Sequence, residues 1–308
     1  MHVYLPIAEM PVNMLVFLSL GAAVGFLSGM FGIGGGFLLT PLMIFLGIPP
    51  AVAVGTGAAH IVASSVSGAV TQYRRNNVDI KMGLVMLVGG AAGTIIGVEA
   101  VRLLRKAGQF DLAVALVYIT FLGATGTLML TESINALRRV KSGAPAPTRK
   151  SGQHSWLDGL PLKMRFRRSK LYISAVPPAV IGMFIGFLAS IMGIGGGFIM
   201  IPAMIYLLRM PAAVVVGTSL FQIVFVAAFA TFLHAIQNKT VDVVLAALLI
   251  AGGVIGAQFG SASGEKLRGE YLRILLAGLV LVVALRLAFD LVATPSELYS
   301  FSGVQGRP

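Results

Sequence analysis

The chain has 308 residues, 57% of them hydrophobic and only 11% charged, and a formal net charge of +12. Soluble domains carry about 25% charged residues, so 23 basic and 11 acidic side chains cannot cover a globule of this length. With a mean hydropathy of +0.91 and no cysteine, the composition excludes an ordinary soluble enzyme, a disulfide scaffold, thiol chemistry and a disordered chain, and leaves a polytopic membrane protein.

A helical crossing needs about 20 mostly apolar residues. No basic n-region and small-residue cleavage site precedes the first span, so a removable leader is not expected. Residues 10–73 carry no Asp, Glu, Lys or Arg, which is room for three passes. Gly32-Ile33-Gly34-Gly35-Gly36 parts Val12–Phe31 from a short segment, Phe37–Gly47, and Pro49-Pro50 opens Ala51–Tyr73. Met82–Val98 and Leu112–Thr131 supply one pass each. After a polar stretch the plan recurs. Gly193-Ile194-Gly195-Gly196-Gly197 parts Ile173–Met192 from Phe198–Leu208, and Pro211 precedes Ala212–Leu233. Val243–Gly264 and the stretch from Ile274 to Val292 complete ten predicted passes. If the two short segments re-enter instead of crossing, the count falls to eight.

The halves repeat each other. GMFGIGGGFLLTPLMIF (29–45) matches SIMGIGGGFIMIPAMIY (190–206), and PPAVAVGT (49–56) matches PAAVVVGT (211–218). VDIKMGLVMLVGGAAGTIIG (78–97) matches VDVVLAALLIAGGVIGAQFG (241–260). Pro41/Pro202, Thr56/Thr218 and Asp79/Asp242 hold their places in this internal repeat. The expected domains are a first repeat over 10–131, a basic cytoplasmic linker over 132–171 and a second repeat over 172–293. Five passes per half is an odd number, so the second repeat is expected to be inverted, a common transporter plan. Ten basic residues lie between Arg138 and Lys170. The positive-inside rule therefore puts the linker in the cytoplasm and both termini outside. The linker reads as a flexible topology determinant rather than a lipid-docked segment. Basic residues elsewhere sit at span ends, so nucleic acid is not an expected partner.

The Gly breaks are the sharpest functional signal. An unwound stretch at membrane depth is tolerated only where protein or a water-filled cavity surrounds it. It exposes helix N-terminal N–H groups, and glycine lets an oxyanion approach the backbone. Paired Gly-interrupted segments in two halves point to a substrate site. The competing reading is close helix packing. The third pass of each half adds polar groups: Thr56, His60, Ser64, Ser65 and Ser67 in the first, Thr218, Ser219 and Gln222 in the second. His60 aligns with Gln222, and both side chains can donate to an anion. For the serines, bonding to their own helix is favoured. Asp79 and Asp242 read as helix N-caps. Glu99/Arg102 and Arg286/Asp290 have ion-pair spacing. His234, near a span end, reads as interfacial. Catalytic and cofactor motifs are absent, so no enzyme and no cofactor is expected.

At GMFGIGGGFLLTPLM, AVGTGAAHIVASSVSGAV, NVDIKMGLVMLVGGAAGTIIG and their second-half partners, the sequence resembles the TauE/SafE sulfite-exporter family of permeases. The resemblance spans roughly 12–131 and 172–292. It implies secondary transport of sulfite or an organosulfonate across the bacterial inner membrane, often as export. Carried onto this chain, it implies an anion site at Gly34, Gly35, Gly36, Gly195, Gly196 and Gly197, with Thr56, His60, Thr218, Ser219 and Gln222 completing the shell. Coupling to protons or to the membrane potential is expected. An anion channel built on the same residues is the alternative.

Overall fold

The computed structural model describes residues 2–31, 36–141, 162–169, 171–208, 210–264 and 269–292. Gly34, Gly35 and most of the linker lie outside them. Ten α-helices are present among the described residues: α1 (Met14–Phe31), α2 (Gly36–Phe45), α3 (Pro50–Arg74), α4 (Ile80–Lys106), α5 (Phe110–Lys141), α6 (Val176–Met192), α7 (Gly197–Tyr206), α8 (Ala212–Leu233), α9 (Val243–Gly264) and α10 (Gly269–Val292). Six are long and apolar enough to cross a bilayer, and α1 and α6 are nearly so. The chain is an all-α polytopic membrane protein. Helices are the form such a chain must take, because lipid leaves no other partner for backbone N–H and C=O groups. At 10 residues each, α2 and α7 rise only about 15 Å, half of a hydrocarbon core.

Small residues set the packing. Gly21, Gly25 and Gly29 recur every fourth residue on α1 and face Leu249, Gly253 and Ala257 of α9; a Cβ on Gly25 would stand 2.2 Å from the Gly253 carbonyl oxygen. On α4, Gly89, Gly93 and Gly97 meet Ala179, Met183 and Phe187 of α6 in the same way. Such stripes let helix backbones touch where lipid removes any hydrophobic drive for association. The pairing is reciprocal between halves: α1 packs on α9 as α6 packs on α4. Helices α3 and α8 cross each other at the centre, and α5 packs on α10 at the periphery.

Two antiparallel hairpins precede the two halves. One joins β1 (His2–Leu5) to β2 (Met10–Asn13), and the other joins β3 (Lys163–Phe166) to β4 (Leu171–Ser174). No strand is expected from the sequence, and the second hairpin straddles the expected 171/172 boundary. The reason is long-range bonding. Ser169, in the second hairpin's turn, donates from its N–H and its hydroxyl to Asp79 Oδ2, at 2.9 and 2.8 Å. Ile7, in the first, donates its N–H to Asp242 Oδ2 at 2.9 Å. The same two aspartates cap helices as expected: Asp79 accepts from the Met82 N–H, and Asp242 from the Leu245 N–H. Each carboxylate thus fastens a hairpin to the start of α4 or α9.

Candidate functional site

The site is built around the second Gly break. Helix α6 ends at Met192, and Gly193 takes φ +67°, its N–H donating to Ala189 O at 2.8 Å. Gly195 and Gly196 follow at φ +70° and +78°, and α7 begins at Gly197. An L-residue in that left-handed region costs roughly 1–2 kcal/mol. Space is also closed: a Cβ on Gly193 would lie 2.5 Å from Val54 O, and one on Gly196 would lie 2.3 Å from Ile185 Cγ2. The turn's glycines therefore serve conformation and contact, with Gly193 pressed on the second turn of α3.

The start of α2 lies at the same place. Gly36, the first residue of α2, faces Ile61 of α3 and the carbonyl of Ile194. Gly195 faces Ile61 and its repeat partner Ile223 of α8. Phe37 stacks on Phe198, with ring centroids 4.6 Å apart and an interplanar angle of 16°. The N-termini of the two short helices therefore meet at one buried point between α3 and α8. The opening N–H groups of a helix have no partner within it, and its N-terminus carries partial positive charge. Two such ends at one buried point form an electropositive spot made of backbone.

The polar residues expected around it are placed differently. Thr218 Oγ1 accepts from the backbone N–H of Asp79 at 3.0 Å, and Thr56 Oγ1 accepts from that of Asp242 at 3.0 Å. Ser219 back-bonds to Val216 O at 3.0 Å. His60 turns to α9: its Nδ1 lies 2.9 Å from Leu249 O, and the ring rests on Gly253. Gln222 makes the equivalent contact with α4, its Nε2 donating to Met86 O at 3.2 Å beside Gly90. The structure thus brings Gly36, Gly195, Gly196 and Gly197 together, and directs His60, Gln222, Thr56 and Thr218 to the flanking helices. Among the described residues, no group of three or more His, Cys, Asp and Glu is placed to hold a metal ion.

The model of the sulfite exporter TauE/SafE family matches residues 17–287. The chain belongs to the TauE/SafE sulfite exporter family. It is 24% identical over 288 residues to the probable membrane transporter protein YunE of Bacillus subtilis, covering 90% of this chain and 98% of that one. It is 27% identical over 268 residues to the probable membrane transporter protein YjnA of the same organism, covering 87% and 97%. A sulfite exporter TauE/SafE family protein 3 of Arabidopsis thaliana is 27% identical over 95 residues, covering 31% of this chain and 20% of that one. No solved structure matches the chain.

In this TauE/SafE protein the sequence reading missed what holds the end of α6. The Tyr118 hydroxyl of α5 donates to Met192 O, immediately before the Gly turn. His234 is buried rather than interfacial, with Nε2 3.0 Å from Ser190 O and Nδ1 3.1 Å from Asn238 Nδ2. It opens a one-turn π-helix, His234–Asn238, whose last carbonyl accepts from Arg105 at 2.9 Å. A tyrosine alone within an apolar pass was the available signal for the first contact. Nothing local marked the second. The two expected ion pairs form, Glu99 with Arg102 at 3.4 Å and Arg286 with Asp290 at 3.2 Å.

Proposed function

We propose that this chain is a secondary transporter for a small sulfur-containing oxyanion, sulfite or an organosulfonate, and that the meeting point of α2 and α7 is its anion site. The observation that carries this reading is the convergence of two helix N-termini on a buried, glycine-rich turn. A nearly uncharged core has little else with which to hold an anion. Backbone N–H groups and helix ends suit a tetrahedral or pyramidal oxyanion, because they supply several directed donors without a counter-charge. Gly34–Gly36 and Gly195–Gly197 would contact the anion, and Thr56, Thr218, Ser219, His60 and Gln222, which bond to neighbouring backbone here, would form the surrounding shell through the polar hydrogens and atoms those bonds leave free.

The two halves insert with opposite orientation in this reading, giving alternating access by rocking of one half against the other. The reciprocal pairing of α1 with α9 and α6 with α4 supports it. The basic segment before β3 faces the cytoplasm, the membrane is the bacterial inner membrane, and the direction is export. The family name and the absence of a catalytic motif support a transporter rather than an enzyme.

The test is uptake and counterflow in proteoliposomes with sulfite, thiosulfate, sulfate, sulfoacetate and taurine. Saturable counterflow of at least one of the anions is expected, and movement of none by folded protein overturns the substrate class. Continuous single-channel current would replace the carrier with a channel. Gly196→Val is expected to abolish transport, and undiminished transport would return this turn to a packing role.

A further inference from the structure

The one donor of a neutral His60 is already spent, and Gln222 has committed one of its two amide hydrogens. A carbonyl only accepts, so His60 Nδ1, 2.9 Å from Leu249 O, carries the ring's hydrogen. The neutral ring then presents a lone pair at Nε2. That atom is buried and has no hydrogen-bond partner, and His60 as a whole is 0% exposed. Gln222 repeats the arrangement. Its amide nitrogen donates to Met86 O, and its Oε1, also buried, has no partner. Both free atoms at these symmetry-related positions are acceptors. His60 cannot bind an oxyanion as it stands, because the lone pair at Nε2 would repel it, whereas Gln222 keeps a second amide N–H.

The two positions differ in a second respect. A glutamine amide gains no proton near neutrality, whereas an imidazole does. We propose that His60 receives an anion only together with a proton: Nε2 takes up a proton from hydronium in the aqueous phase that the anion leaves, becomes a donor, and bonds an oxygen of the anion. The imidazolium offsets one negative charge of the anion in a low-dielectric core, and release on the far side returns both anion and proton. Nothing is consumed. The inference rests on the reading of the chain as an anion transporter and adds its coupling residue.

The surroundings leave His60 without a built-in counter-ion. Helices α1, α2, α6, α8 and α9, which pack on α3, carry no Asp, Glu, Lys, Arg, His or Tyr. Helix α5 contributes Tyr118, which is bonded to Met192 O, with Asp111 at its start and Glu132, Arg138, Arg139 and Lys141 in its last turns. Tyr73 and Arg74 end α3, about 20 Å of helix from His60. Asp242 is the nearest acid in sequence to the bonded carbonyl, about 10 Å along the chain from Leu249 by helical rise. Its carboxylate is occupied by the N–H groups of Ile7, Val244 and Leu245. An anion arriving from solution is thus the available partner for a protonated His60.

The experiment loads proteoliposomes holding the full chain with a pH-sensitive dye and follows uptake of thiosulfate, sulfate and sulfoacetate, whose charges are constant between about pH 6 and 8. The wild type should move protons with the anion, and uptake should rise several-fold as pH falls through that range. His60→Gln, which cannot take up a proton, should lose proton movement with the anion, and any uptake it retains should be flat with pH. A variant with the wild-type profile and proton movement overturns the inference and leaves the transporter reading standing. Movement of no anion by either protein overturns both. A second measurement needs no variant activity. Nitrogen NMR of histidine-labelled wild-type protein should show His60 as the Nδ1–H tautomer alone, and as imidazolium once sulfite or thiosulfate is added. A neutral ring in the anion-bound protein overturns the inference.

Discussion

Thr218 Oγ1 accepts a 3.0 Å hydrogen bond from the backbone N–H of Asp79, 139 residues earlier in the chain. Thr56 does the same for Asp242 at the same distance. Each half's central helix thereby holds the start of a helix from the other half. Thr218→Val and Thr56→Val each strand one buried N–H, which costs about 1–3 kcal/mol. Both should lower the unfolding midpoint in detergent. Thr→Ser at either position, which keeps the oxygen, should stay within about 1 kcal/mol of wild type.

The two hairpin latches differ in strength. Asp79 receives two bonds from Ser169, and Asp242 receives one from Ile7. Asp79→Ala should therefore loosen the β3–β4 turn, where Arg165, Arg167 and Arg168 offer tryptic sites. Limited trypsin digestion should cut at these arginines faster in Asp79→Ala and at the wild-type rate in Asp242→Ala. Equal rates in all three proteins would mean that the carboxylate does not hold the turn.

Glycines sort by what a methyl group would meet. Gly25→Ala and Gly89→Ala put Cβ 2.2 and 1.9 Å from carbonyl oxygens of the partner helix, which forces the helices apart at about 1–3 kcal/mol. Gly123→Ala and Gly278→Ala meet nothing within 4 Å. On helix propensity they should be neutral or stabilising by up to about 1 kcal/mol. Thermal unfolding of the four variants side by side measures the difference.

The lack of cysteine makes orientation directly measurable. In the inverted arrangement proposed above, Glu9 and Arg167, in the turns of the two hairpins, face opposite sides of the membrane. Glu9→Cys should react with an impermeant maleimide on intact spheroplasts, and Arg167→Cys only after the membrane is opened. Labelling of both from one side would rule out inversion.

Much of the helix plan was legible because lipid makes it so: charge-free runs of the right length have to be helical, and glycine and proline divide them. The register of the repeat also foretold that Thr56/Thr218 and Asp79/Asp242 would act alike, although it gave no hint that they bond crosswise. The hairpins were not legible. Their strands are four residues long, too short for alternation to register, and their turns are set by carboxylates far away in sequence. The hydrogen bonding of His60 was not legible, because the carbonyl that takes its Nδ1–H lies 189 residues away in sequence.

The stack of Phe37 on Phe198 is a contact between the two halves' equivalent residues. A substitution at either ring therefore alters the mouth of both short helices at once, and neither half can be tuned there alone. Such an aromatic pair contributes about 0.5–1.5 kcal/mol beyond its buried area, on the order of thermal energy. The rings thus tie the two short helices to each other by a contact that is weak on its own.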